Sequence, residues 1–195
     1  MKKLILIIGV SLFCFTSCKN GKKERVITED YKFFNLAVDG WKSKKINQYI
    51  NDINYTATEV PLQYYILKDT QDFETEAVDS IFKLHENERV LEVEFHHNEE
   101  KDLLQKEFTN LEYDKAVEYM AFKIQNDFKV ITSTNDTIIC SGVLFERNFK
   151  VAPFKRALLY FGNINPNEEI QLVYNDQLFG SGLMKFNFKA KPLKL

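Results

Sequence analysis

Three hydrophobic regimes follow one another along the chain. Leu4 to Phe15 is a predominantly apolar run behind Met1-Lys2-Lys3. From residue 27 to residue 126 apolar positions mostly recur at i, i+3 and i+4, the spacing that lines one face of a helix. From 127 to 192 they alternate with polar residues, as in a strand wet on one side. The pattern predicts an α+β fold in one domain over residues 27–195. Its helix-rich first half would pack on a C-terminal antiparallel β-sheet or small β-sandwich.

Within the first half, Thr28 opens a helix whose first turn carries Glu29 and Asp30, and Gly40 closes it. Ser43 caps a second, short helix with Ile46, Tyr49 and Ile50. Asn54 to Leu67 is β-branched and aromatic, and Pro61 divides it into two short strands or marks an edge strand. A third helix starts at Asp69 or Thr70, with Phe73, Ala77, Val78, Ile81, Phe82 and Leu84 on one side. Arg89 to His97 alternates, Leu91, Val93 and Phe95 against Glu92, Glu94 and His96. Asn98 caps another helix, with Glu99, Glu100 and Asp102 in its first turn. Asp114 starts one more, striped by Tyr113, Val117, Met120 and Ile124, although Tyr119 to Ile124 fits a strand as well. Strands then follow at 128–132, 137–146, 157–162, 169–175 and 183–189. Ser133 to Asp136, Asn163 to Asn167 and Gly180-Ser181-Gly182 supply the turns between them.

The N-terminal regime is an address. A cationic start, a short apolar run and the small residues Thr16 and Ser17 make residues 1–17 a secretory signal. A spanning helix needs about 20 apolar residues, more than this run holds. Phe15-Thr16-Ser17-Cys18 resembles the lipobox of bacterial lipoproteins, with Phe15 where leucine is usual. The resemblance implies that Cys18 is the lipidated first residue of the mature protein, whose acyl chains anchor it in a bilayer. Lys19 is not the aspartate that accompanies inner-membrane retention in that class. The implied location is the cell envelope, at the outer membrane, on its periplasmic or outer face. Residues 18–26 then read as a polar, lipidated tether.

Removing residues 1–17 takes away Lys2 and Lys3 and shifts the formal charge from −2 to −4. A mildly acidic chain with interspersed charges excludes nucleic acid as a partner. With Cys14 in the signal and Cys18 lipidated, Cys140 stands alone, so no internal disulfide can form. Its strand-like neighbours suit a buried, inert thiol.

Five stretches carry candidate chemistry. Glu94, His96 and His97 could contribute to a metal site, but alternate strand residues lie about 6.6 Å apart, and neither a helical His pair nor a Cys-x-x-Cys is present. A solvated strand face running into an acidic helix start accounts for them more simply. Phe145 to Arg156 interleaves aromatics with cations, and Arg147, Phe149, Phe154 and Arg156 are partner-binding candidates. Leu178 and Phe179, beside a glycine-rich turn, either form an apolar contact loop or fold inward as a cap. Trp41, beside Lys42, Lys44 and Lys45, has the make-up of an interfacial anchor. Asp136-Thr137-Ile138 resembles an O-glycan acceptor of exported bacterial proteins, which makes Thr137 a modification candidate.

The chain holds no Gly-x-Ser-x-Gly elbow, no phosphate-cradling glycine loop and no His-Glu-x-x-His. The expected function is therefore a non-catalytic, membrane-anchored binding or assembly module without a cofactor, working with an envelope protein partner. The alternatives are a metal-dependent hydrolase built on His96, His97 and nearby acids, or a small-ligand carrier.

Overall fold

Nine strands form two antiparallel sheets in the computed structural model, which describes residues 44–70, 75–148, 152–165 and 168–188. In chain order they are β1 (Lys44–Ile50), β2 (Ile53–Val60), β3 (Arg89–His97), β4 (Phe128–Thr132), β5 (Thr137–Ile139), β6 (Gly142–Glu146), β7 (Phe154–Phe161), β8 (Ile170–Asp176) and β9 (Gly182–Phe188). One sheet has the order β1-β2-β3-β7-β6 and the other β5-β4-β8-β9. The signal segment, Cys18, the 28–40 helix and Trp41 lie outside the described residues.

This architecture overturns the helix-rich first half. Lys44–Ile50 is a strand, paired with β2 from Lys44↔Glu59 to Ile50↔Ile53. Ile46 and Ile50 fit a helical stripe, yet Ile46, Gln48 and Ile50 also fit a period of two, and a run this short cannot separate the two readings. The deciding signal is Asn51-Asp52. Both residues have positive φ, 50° and 63°, as a two-residue hairpin turn requires, and Asn and Asp tolerate that region. Asn98 likewise opens turns rather than a helix; Glu100 takes φ 56°, and its amide bonds back to His97 O at 2.9 Å.

Nor do the halves divide at residue 126. β7 lies between β3 and β6, so strands from both halves interleave within one sheet. The stretch read as one strand at 137–146 is two, and it bends at Cys140-Ser141 to give one edge strand to each sheet. The opposite edges meet where Gln48 Nε2 donates to Lys185 O at 2.6 Å.

Between the sheets, Tyr55, Val93 and Phe95 face Phe128, Tyr174 and Phe186 in a single apolar core. Phe128 stacks on Tyr174 with centroids 4.2 Å apart, and Phe95 meets Tyr174 edge-on at 5.9 Å. Four helices complete the described chain: α1 (Leu62–Thr70), α2 (Thr75–Leu84), α3 (Lys106–Thr109) and α4 (Tyr113–Glu118). A π turn (Tyr119–Lys123) and a 3-10 turn (Ile124–Asp127) extend α4. That segment sinks Ala116, Met120 and Ile124, at i, i+4 and i+8, into the core. α1 covers part of the outer face of the five-stranded sheet, where Tyr65 packs with Val60, Val90 and Leu158.

One end of the core contains a buried ion pair. Arg89 and Glu59 point inward like Leu91 and Ala57. Arg89 Nε donates to Glu59 Oε1 at 2.7 Å and Nη1 to Glu168 O at 2.6 Å, which ties the two sheets together.

Candidate functional site on the outer face of the five-stranded sheet

Alternation along β3 sends Leu91, Val93 and Phe95 into the core and Glu92, Glu94 and His96 outward. The register then sets Glu94 beside Arg156 and His96 beside Phe154, and Arg156 beside Glu146 on β6. Two patches 62 residues apart in sequence become one surface.

Arg156 is its centre. Nε donates to Glu94 Oε1 at 3.0 Å and Nη1 to Glu146 Oε2 at 3.2 Å, while Glu92 Oε2 stands 3.9 Å from Nε. The guanidinium carbon lies 4.9 Å from the Phe154 ring centroid. Burial works against the charge of Arg156, but the bond to Glu94 and the charges of Glu92, Glu94 and Glu146 outweigh it and hold the group protonated more firmly than usual. From α1, Tyr65 donates to Glu92 Oε1. Burial and the charge of Glu92 push its phenol well above the ordinary range, so it acts as a fixed donor. With one guanidinium against three carboxylates, the patch keeps an excess of two negative charges. Its chemistry is electrostatic: it favours a further cation.

The histidines do not converge. His97 points inward, packs at 5.0 Å from the Phe108 ring and accepts the Glu99 amide on Nδ1 at 3.1 Å. His96 lies on the opposite face with Glu94, whose Oε1 is engaged by Arg156. Strand alternation therefore keeps His96 and His97 from one ion. Among the described residues no three His, Cys, Asp or Glu side chains are grouped to hold a metal.

The aromatic–cationic connection also splits. Phe154 and Arg156 face outward, whereas Lys155 points inward and meets Asp102 Oδ1 at 3.0 Å. Arg147 lines a cavity of about 20 Å³ with Tyr113, Val117, Phe145 and Lys155, room for about one water. Phe149 lies outside the described residues.

Leu178 and Phe179 fold inward as a cap on the end of the core. Leu178 is 4% exposed, and Phe179 packs ring to ring against Phe95 at 5.6 Å. The cause is Asp176, which sequence reasoning missed. Its buried carboxylate accepts the Tyr174 hydroxyl at 2.8 Å, the Tyr55 hydroxyl at 3.2 Å and the amides of Leu178, Phe179 and Ser181 at 3.0, 2.9 and 2.9 Å. Gly180 and Gly182, at φ 75° and 79°, let the chain wrap that closely. An aspartate opening a turn that ends Gly-Ser-Gly was the available signal.

Thr137 is exposed at the start of edge strand β5, just after a tight turn in which Asn135 has φ 67°. Cys140 is buried, its thiol donates to Gly142 O at 3.1 Å, and burial pushes its pKa up.

The sequence matches no family model and no curated protein. Among solved structures it is similar to a DUF4426 family protein from Pseudomonas aeruginosa PAO1, with 12% identity, a TM-score of 0.42, and coverage of 77% of this chain and 97% of that one. It is also similar to a novel protein of unknown function from Burkholderia pseudomallei K96243, with 8% identity, a TM-score of 0.34, and coverage of 73% and 77%. Likeness this slight assigns the chain neither a family nor an activity.

Proposed function

We propose that this protein is an exported, lipid-anchored envelope module that binds a cationic segment of a protein partner and performs no catalysis. Its address rests on the Met1 to Cys18 pattern. The binding half is carried by one observation, the excess of two negative charges gathered around Arg156 on an outer sheet face. An arriving Arg or Lys adds charge-assisted bonds to carboxylates that retain open lone pairs, and Phe154 offers an aromatic plane beside them.

Affinity recovery from mild detergent extracts tests the reading. Wild-type protein is compared with a Glu92→Gln/Glu94→Gln/Glu146→Gln variant whose circular dichroism is unchanged. We expect a recurrent Lys- or Arg-rich envelope partner, recovered about ten-fold less with the variant and released as salt rises. Equal recovery with both proteins, or no recurrent partner, contradicts the proposal.

A further inference from the structure

The outer face of the four-stranded sheet is chemically unlike that of the five-stranded one. Phe128, Leu172, Tyr174 and Phe186 point into the core, so alternation turns their strand neighbours outward. The register lines up Ile139, Lys129, Val173 and Lys185 in one row across β5, β4, β8 and β9. Both ammonium groups are exposed and, among the described residues, neither is ion-paired. Two strand spacings set the lysines about 10 Å apart, with buried Val173 between them in the row. Ile139 is 72% exposed at one end of that row, and Leu183, the next outward position on β9, is 60% exposed.

The other outward strand positions are Ile131, Thr137, Gln171, Asn175 and Asn187, so these strands set no carboxylate on the face. Three acids border it. Asp136 and Glu169 precede β5 and β8, about 10–13 Å along the strands from the lysine row. Asp127, before β4, is engaged by the Tyr119 hydroxyl at 2.8 Å.

We propose that this face docks on an anionic lipid surface. Lys129 and Lys185 meet headgroup phosphates, while Ile139 and Leu183 enter the boundary between headgroups and acyl chains. Unpaired cations level with exposed apolar side chains have the make-up that this boundary accepts. A second copy offering its Arg156 face would match the charge, but α1 stands over part of that face and keeps two flat sheets from meeting. The inference goes beyond the partner-binding reading and rests on its lipid address. Each lysine strengthens contact with an anionic leaflet about five-fold, so the pair holds weakly until an anchor brings the domain close. Docking on this sheet turns the acidic Arg156 face away from the bilayer, where a partner can reach it.

Protein purified from membranes and mixed with phosphatidylcholine vesicles, with or without about 30% phosphatidylglycerol, tests the docking. Acetylation of individual lysines at low conversion is followed by mass spectrometry. We expect Lys129 and Lys185 to react about ten-fold slower on anionic vesicles than on neutral ones, a difference erased by about 0.5 M salt. Exposed Lys83 on α2 is the reference and should not change. Equal rates on both vesicles, or slowing shared by Lys83, overturn the proposal. Slowing without vesicles that grows with protein concentration also overturns it, by making a second copy the occupant. The lipid address is read separately, from sedimentation with neutral vesicles. If wild type fails to sediment there, the address fails and the face is judged on anionic vesicles alone. Sedimentation lost on Lys129→Gln/Lys185→Gln then supports the face. Sedimentation that survives the change, or none at all, overturns it.

Discussion

Asp176→Ala is expected to lower unfolding free energy by about 4 kcal/mol, since it strands several buried donors at once. The Tyr174 and Tyr55 hydroxyls and three loop amides lose their acceptor together. Each abandoned buried donor costs about 1–3 kcal/mol, but relaxation of the loop lets water reach the amides, so the sum falls well short of five such losses. Tyr55 keeps a second partner, Ser181 Oγ at 2.8 Å, which softens its share. Asp176→Asn should cost about half as much. It can preserve the three bonds to Oδ1, but it sets an amide donor against the Ser181 amide and the Tyr55 hydroxyl. Urea unfolding measures both, and the alanine variant should lose about 10 °C in melting temperature. A loss below about 1 kcal/mol would show that the loop does not depend on this carboxylate.

Arg89→Met carries the second large effect, about 3–5 kcal/mol, because it removes the guanidinium bonded to the buried Glu59 carboxyl. Arg89 is 4% exposed and Glu59 5%, so neither charge can turn to solvent without a rearrangement. The pair is not for that reason a strong net stabiliser. Replacing both partners, Arg89→Met with Glu59→Leu, should return stability to within about 1–2 kcal/mol of wild type. The double-mutant cycle measured by denaturant titration therefore yields a coupling of several kcal/mol. A double variant as unstable as Arg89→Met alone would assign the effect to the lost bond between Arg89 Nη1 and Glu168 O instead.

These two features also show where sequence reasoning runs out. Arg89 to His97 and Phe128 to Thr132 were legible to the residue, because each alternates cleanly and turn residues bound it. Lys44–Ile50 was not, since Ile46 and Ile50 satisfy both periods and only the turn decides between them. Asn98 to Asp102 has a good helix-start composition, but Leu103 and Leu104 are both buried, which turns serve better than one helical face. Tyr64, Tyr65 and Ile66 look like strand residues, yet α1 seats Tyr65 on the outer sheet face, where tertiary packing overrides propensity.

The candidate site was half visible. The outward face of Glu92, Glu94 and His96 follows from local alternation, and Phe154 with Arg156 from composition. Their union depends on β3 pairing with β7, and no local signal sets that register. Alternation within each strand, in turn, separates Lys155 from Arg156 and His97 from His96. A list of residues close in sequence mixes the two faces of one sheet; alternation sorts the faces, and the register joins the strands.

The proposed role of the outer sheet face depends most on where the protein resides. Cells expressing the full chain and its Cys18→Ser form, grown with radiolabelled palmitate and then fractionated, test this directly. The account predicts label on the wild-type protein in the membrane fraction and none on the serine form. Equal labelling of both, or a wild-type protein that stays unlabelled in the soluble fraction, would contradict it.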